Sequence, residues 1–395
     1  MISLFLCMIA ERYPPHIGGA PFCIHQLSTA LVRLGHHVQV VTRREPDTLY
    51  DEKIDGVEVF RVDCSSLPRL KGLSFAFQAY RKLSALSKVH DYDLIHCHSG
   101  ICGLVGYWWR KEFRKPYVVT SHGSIATSMK AGYLVRYLAR LIEEFSVRNA
   151  DAATFDGSNL LEDFVESTGI DRRKAYYIPN AVDPELFSPR ESVKSHSGIN
   201  PDSINVLYVG RLVPGKGLST LLDAFCIARD RFPELSLMVV GEGPFLKRMK
   251  ESLRNRAQKA DVSFFGAVPH NDLPEIYAAS SMVVLPSISE GLSRVLLEAM
   301  ACEKPVIATD IPANLSLIRN EVNGLVVPLG DVKLLAEAIL RLAKDKNLRR
   351  DLGKEARETI LRDYKVEKRV KRMLDVYKAV LKSLRQDKIE GSFST

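Results

Sequence analysis

Asn205-Val-Leu-Tyr-Val-Gly-Arg-Leu-Val-Pro-Gly-Lys-Gly-Leu218 changes character twice within fourteen residues. Residues 205–209 read as a short apolar strand, glycine and proline then interrupt the chain, and a helical pattern starts at Leu218. A strand that runs through a glycine-rich turn into a helix is half of a βαβ unit. Outward from it, strands are expected at 205–209, 236–240, 262–265, 282–286, 305–308 and 324–327, separated by helices. The first half of the chain repeats the pattern, with strands expected at 2–9, 37–42, 57–62, 94–98, 117–121, 152–156 and 175–178. Helical patterns include Pro21–Leu34, Phe75–Val89 and Leu134–Arg148. Apolar strands alternating with helices imply parallel sheets covered on both faces.

The pattern restarts once. Residues 184–203 (PELFSPRESVKSHSGINPDS) are polar, rich in proline and serine and without periodicity, so they read as a linker. The expected fold is therefore α/β, with two doubly wound, Rossmann-like parallel-sheet domains at 1–183 and 204–369 that face each other across a cleft. Ligands of such sheets bind at the carboxyl ends of the strands.

Bulk composition agrees with two globular domains: 395 residues, 46% hydrophobic and 26% charged. Seven scattered cysteines (7, 23, 64, 97, 102, 226 and 302) argue against a disulfide framework and for a reducing compartment. No apolar run reaches the roughly 18 residues that span a bilayer. Met1–Ala10 is apolar but lacks a basic flank and leads into Glu11, Arg12 and two prolines, so it reads as a first strand rather than a signal peptide. A cytoplasmic location is expected. Net charge is +8, and residues 341–388 hold 17 lysines and arginines against 8 acids, leaving −1 for the rest. This basic stretch is either a solvated helix face or a patch drawn to the anionic inner face of a membrane; nucleic acid is not an expected partner.

Two constellations carry chemistry. In Tyr208-Val-Gly-Arg-Leu-Val-Pro-Gly-Lys-Gly217, glycines admit a ligand close to backbone and a helix N-terminus offers unpaired N–H groups to anions. Arg211 and Lys216 add two cations in the same turn, which suits a diphosphate, although the spacing is not that of an ATPase loop. The plain alternative is a solvated turn. In Ser289-Glu-Gly-Leu-Ser-Arg-Val-Leu-Leu-Glu298, Glu290 follows a strand and Glu298 lies about two turns into a helix. Carboxylates so placed suit sugar hydroxyls and a ribose diol; the alternative for Glu290 is a first-turn helix acid. His96-Cys97-His98 with Cys102 invites a metal, but alternation along a strand turns Cys97 away from the two histidines. No metal is expected there.

Together these residues resemble family 4 retaining glycosyltransferases, which have the GT-B fold. G-R-L-x-x-x-K-G followed by E-x7-E carries the resemblance, with Gly18-Gly19, Ser121-His122-Gly123, Pro179-Asn180-Ala181-Val182-Asp183 and Val240-Gly-Glu-Gly-Pro244 in order. The helix expected from about Tyr364 to Leu384 is similar to the family's last helix, which returns to the first domain (residues from about 370 to 395). The resemblance implies that Arg211 and Lys216 bind the donor diphosphate, helped by the backbone of Gly18 and Gly19. It implies that Glu298 takes the ribose and that Glu290, with the amides of Gly291, Leu292 and Ser293, takes the sugar. Backbone near Gly241, Gly243 and Val268 would hold the base. His122 would sit beside the sugar, and His122, Arg211, Lys216 and Glu290 would form the catalytic set. Similar sequences often read E-G-F-G where this chain has Glu290-Gly-Leu-Ser293, which bears on the choice of sugar.

The implied activity is metal- and cofactor-independent transfer of a hexose from a UDP- or GDP-sugar to a glycan or lipid-linked acceptor, with retention. A GT-B nucleotide-sugar epimerase and an inactive nucleotide-sugar-binding protein are the alternatives; a nicotinamide dehydrogenase lacks its glycine fingerprint. The acceptor would be read by loops 12–20, 43–56 and 64–75. Arg43, Arg44, Arg69, Lys71 and Tyr107–Trp109 are either acceptor contacts there or, for the aromatics, plain helix packing.

Overall fold

A computed structural model of the protein describes residues 3–16, 18–67, 70–122, 132–191, 203–254 and 261–392, with side chains as far as Leu384. Residue 2, Arg69, Gly123 and residues 192–202, all named above, lie outside these ranges. The chain divides into two compact units, Met1–Pro179 with Val366–Thr395, and Asn180–Lys365. The stretch expected to be a linker from residue 184 is, in its described part, packed on the second unit. Phe187 is buried in that unit's core, and Val182 N donates to Tyr364 O at 3.0 Å. Phe187, with Leu186 packed beside it on the same core, outweighs the polar composition around them.

The first unit has an eight-stranded sheet. Its strands are β1 (Phe5–Ala10), β2 (His37–Arg43), β3 (Asp51–Ile54), β4 (Val57–Val62), β5 (Leu94–His98), β6 (Tyr117–Ser121), β7 (Ala152–Phe155) and β8 (Ala175–Tyr177). They lie in the order β3-β4-β2-β1-β5-β6-β7-β8, and only the β3–β4 pair is antiparallel. β3 was expected to be loop. Its sequence Asp-Glu-Lys-Ile is charged, and it holds its place as an edge strand through a tight turn at Asp55-Gly56, both with positive φ. The helices are α1 (Gly19–Arg33), α2 (Lys71–Ser87), α3 (Gly100–Phe113), α4 (Tyr133–Asn149) and α5 (Ser158–Thr168). Successive residues of β1 feed opposite layers: Cys7 and Ile9 pack with Phe75, Val105 and Trp109, while Leu6 and Met8 pack with Ile24, Leu27 and Leu31.

The second unit's strands are β9 (Ile204–Val209), β10 (Leu235–Val240), β11 (Val262–Gly266), β12 (Met282–Leu285), β13 (Val306–Thr309) and β14 (Leu325–Val327), all parallel and all within one residue of expectation. Its helices are α6 (Leu218–Arg231), α7 (Leu246–Arg254), α8 (Leu273–Ala279), α9 (Arg294–Ala301), α10 (Pro312–Leu315), α11 (Val332–Lys344) and α12 (Lys346–Asp363). The order β11-β10-β9-β12-β13-β14 reverses direction between β9 and β12. In the first unit the reversal falls between β1 and β5. At such points, crossovers leave the sheet on opposite sides and open a crevice at the strands' carboxyl ends.

The last helix, α13 (Val366–Ser392), belongs to the first unit and seals one layer of it with Val370, Met373, Leu374 and Tyr377. Among the described residues no helix is long and apolar enough to cross a membrane.

Candidate active site

At the reversal point of the second sheet, three loops are locked together by backbone packed against glycine. Gly217 has φ +66°, caps α6, and a Cβ there would lie 1.9 Å from Pro286 O, just beyond β12. A Cβ on Gly241 (φ +132°) would lie 1.9 Å from Gly210 O, and one on Gly243 (φ +157°) 2.3 Å from Leu212 O. Leu212 N donates to Glu242 O at 2.8 Å and Ile288 N to Gly215 O at 3.0 Å, which ties the loops after β9, β10 and β12 into one platform. These glycines therefore serve contact between loops, since the space a side chain would need is filled by the protein's own backbone. Val268 follows β11 and packs against the same core.

On this platform Lys216 and Glu290 meet, although 74 residues separate them. Lys216 Nζ donates to Glu290 Oε1 at 2.5 Å, and their side chains are 24% and 13% exposed. Ser287 Oγ donates to the same carboxylate oxygen at 2.7 Å, and Thr309 Oγ1, at the end of β13, holds Ser287 O at 2.6 Å. The carboxylate is thus aimed by residues from three strand ends. Arg211 is exposed in the same loop as Lys216, and no partner for its guanidinium occurs among the described residues. Arg211, Lys216 and the N-terminus of α6 make this end of the sheet electropositive, with one carboxylate set inside it.

Glu298 is differently placed. It is buried, with Oε1 receiving Arg294 at 2.7 Å and His270 Nε2 at 3.1 Å, and Oε2 receiving Tyr277 OH at 3.0 Å. Burial raises its pKa, but Arg294, followed by His270 and Tyr277, outweighs burial and the net direction is downward. Three of the carboxylate's roughly four acceptor positions are thereby occupied. Leu292 points into the core, and its carbonyl accepts from Asn180 Nδ2 at 3.2 Å, so only its backbone faces the loop. Ser293 is buried at the N-cap of α9, and Gly291 precedes it.

In the first unit, Gly18 and Gly19 open α1 at that sheet's own reversal point. Neither has a left-handed φ, and a Cβ on Gly19 would meet nothing within 4 Å. No internal packing calls for glycine at 19. His122, at the end of β6, places Nδ1 3.4 Å from Asp156 Oδ2 and Nε2 3.2 Å from His98 Nδ1. If Nδ1–H donates to Asp156, Nε2 accepts from His98, so both ring nitrogens have partners within this unit. His96 bonds Tyr377 OH at 2.7 Å and Thr120 Oγ1 at 2.6 Å; burial lowers its pKa to about 3 and pushes that of His98 well below its ordinary value. Cys97 points to the opposite layer, and among the described residues no three His, Cys, Asp or Glu side chains could hold a metal ion.

Trp109 is buried and donates Nε1 to Ser87 Oγ at 2.8 Å, while Tyr107 meets Phe145 and Trp108 meets Tyr80 edge-on. These aromatics pack α3 between its neighbours. The sequence reading missed Asp156, Arg294, His270 and Tyr277. Of these, only Arg294 carried a local signal, four residues before Glu298 on one helix face.

Residues 189–359 match the family described as Glycosyl transferases group 1, and residues 17–186 match Glycosyltransferase Family 4. The chain is 29% identical to the D-inositol 3-phosphate glycosyltransferase of Kribbella flavida over 91% of this chain and 90% of that one. It is 28% identical to the UDP-Gal:alpha-D-GlcNAc-diphosphoundecaprenol alpha-1,3-galactosyltransferase of Escherichia coli, covering 85% and 87% of the two chains. Its fold is similar to that of the sucrose-phosphate synthase of Thermosynechococcus elongatus, with a TM-score of 0.84 and 25% identity over 96% of this chain and 100% of that one.

Proposed function

The chain belongs to the group 1, family 4 glycosyltransferases, and from that membership we propose that Arg211, Lys216 and Glu290 hold its nucleotide-sugar donor. As a member it is a hexosyltransferase of the GT-B fold, taking a sugar from a nucleotide-sugar and passing it to an acceptor. The finer reading is a UDP- or GDP-hexose as donor, retention at the anomeric carbon, no metal or cofactor, and a glycan or lipid-linked hydroxyl as acceptor. The Escherichia coli relative's name, which specifies UDP-Gal and a diphosphoundecaprenol acceptor, supports the UDP-sugar and the lipid link.

The observation that carries the reading is the Lys216–Glu290 pair at the reversal point of the second sheet. An incoming diphosphate competes for the ammonium, with Arg211 and the N-terminus of α6 as further donors. Glu290, held by Ser287, then accepts from sugar hydroxyls. As the bond from the anomeric carbon to the phosphate oxygen breaks, negative charge grows on the departing diphosphate, where these donors are already in place. The acceptor oxygen bonds to the same carbon from the same face, and its proton passes to the departing phosphate oxygen. Glu298 orders Arg294 and His270 behind the site and keeps one acceptor position for the ribose. His122 would reach the sugar by exchanging His98 for a hydroxyl. The seven free cysteines fit a reducing cytoplasm, and the basic charge of 341–388 fits contact with an anionic membrane face.

A thermal-shift panel of UDP-, GDP- and ADP-sugars, followed by proton NMR of the product with and without acceptor, tests the reading. We expect stabilisation by a UDP- or GDP-hexose and a product keeping the donor's anomeric configuration, with EDTA leaving the rate unchanged. An inverted product, or an epimer formed without acceptor, would overturn it.

A further inference from the structure

His98, His122 and Asp156 stand at the carboxyl ends of three neighbouring strands, β5, β6 and β7, and form a row across the first sheet. His122 Nε2 lies 3.2 Å from His98 Nδ1, the ring centroids are 5.4 Å apart and the planes differ by 14°. So long a centroid separation on so short a contact places the rings end to end in nearly one plane, not face to face. The shared proton therefore lies along the N···N line. On its other side His122 Nδ1 stands 3.4 Å from Asp156 Oδ2, and the two side chains are 11% and 6% exposed.

The row has a direction. An ionised carboxylate only accepts, so Nδ1 of His122 carries the proton and Nε2 of the neutral ring is left bare. His98 must then be the donor. Burial, with His96, His122 and Arg369 of α13 adding to it, holds the pKa of His98 well below its ordinary value, so that ring is neutral and has one N–H to give. Its Nε2 is buried without a hydrogen-bond partner among the described residues, so hydrogen bonding anchors the row at its Asp156 end alone. A hydroxyl entering between the two rings would accept from His98 and donate to His122, which matches its one proton and two lone pairs. A carboxylate would satisfy His98 but meet the bare Nε2, and a C–H group would satisfy neither.

We propose that Asp156 and His98 are positioning residues that make His122 a reader of a hydroxyl on the transferred sugar. Asp156 fixes the tautomer that leaves Nε2 bare, and His98 supplies the N–H that faces it. These roles rest on the reading of His122 as the residue beside the sugar, and add what sets that ring's proton.

Two measurements on the full chain test them. Nitrogen NMR of isotope-labelled histidine reads the ring tautomer without turnover. We expect His122, assigned through His122→Gln, to carry its proton on Nδ1, and Asp156→Asn to move it to Nε2 in part or all of the population. A wild-type ring protonated at Nε2, or a tautomer that Asp156→Asn leaves unchanged, overturns the proposal. Kinetics with the hexose donor selected by the thermal-shift panel, and with its monodeoxy analogues, read the consequence. One analogue should lose about tenfold or more in kcat/KM with the wild type, and the loss should shrink to about threefold or less in Asp156→Asn and His98→Phe. His98→Asn, whose amide returns an N–H beside His122, should restore it. Asp156→Asn is isosteric, so the comparison does not depend on whether the bulkier His98→Phe folds. If His122→Gln shrinks the loss but neither Asp156→Asn nor His98→Phe does, the His122 reading stands and the positioning roles fall. If His122→Gln changes the loss for no analogue, the His122 reading fails and takes the proposal with it.

Discussion

His96 gives one ring nitrogen to Tyr377 and the other to Thr120, and burial takes its pKa down to about 3. In the unfolded chain the ring titrates near about 6.5. Between those values the unfolded state binds a proton that the folded state refuses, so stability falls as pH drops through about 6.5 and keeps falling toward 3. The slope from one such histidine is about 1.4 kcal/mol per pH unit, and His98, shifted the same way, adds to it. Trp108 and Trp109, the chain's only two tryptophans, both lie in α3, so indole fluorescence reports the first unit alone. Urea unfolding by that signal should lose stability between about pH 7 and pH 5, and His96→Gln should flatten the dependence. Equal slopes in both proteins would contradict a neutral, sealed His96. Much at this scale was legible in the sequence. Lys216, Glu290 and Arg211 were singled out from local patterns, because each sits where a strand ends and a helix begins. Asp156, His270 and Tyr277 were not, because their partners, His122 and Glu298, belong to other elements and no spacing along the chain announces them.

At the level of elements, the glycines after β9 and β10 hold the candidate site in shape. An alanine at Gly217 would have to keep φ +66°, which costs about 1–2 kcal/mol, and its Cβ would also collide with Pro286 O. The loop after β9 must then leave the loop after β12, taking Lys216 away from Glu290. We expect Gly217→Ala to weaken nucleotide-sugar binding by about tenfold or more while the fluorescence transition of the first unit stays in place. Donor affinity unchanged in a titration would show that the loop contact is not what sets the site. The strands themselves could be read from apolar runs, because burial on both faces leaves nothing else to write there. β3 was lost because its residues are charged, yet the Asp55-Gly56 turn that makes it was in view. Phe187 was overlooked for the opposite reason, as part of a short Leu186-Phe187 pair at the head of a mostly polar run.

The whole molecule is two sheets, each with its own reversal point, and the chain passes between the units twice, at Pro179–Asn180 and at Lys365–Val366. The second passage returns α13 to the first unit, where Tyr377 reaches His96 across a gap of 281 residues in sequence. Repetition of strand and helix foretold two units, but composition placed the first passage late, because Asn180, Val182 and Phe187 commit to the second unit by contacts rather than by pattern. The reversal point of the second sheet gathers Arg211, Lys216 and Glu290, and the donor grip proposed above lies there. The direct measurement is kcat/KM for transfer by Lys216→Ala with the donor chosen by the thermal-shift panel. We expect a fall of about a hundredfold, as for loss of one preorganised charge donor, with the melting curve of the first unit unchanged. A value within about twofold of wild type would contradict a donor grip at this site.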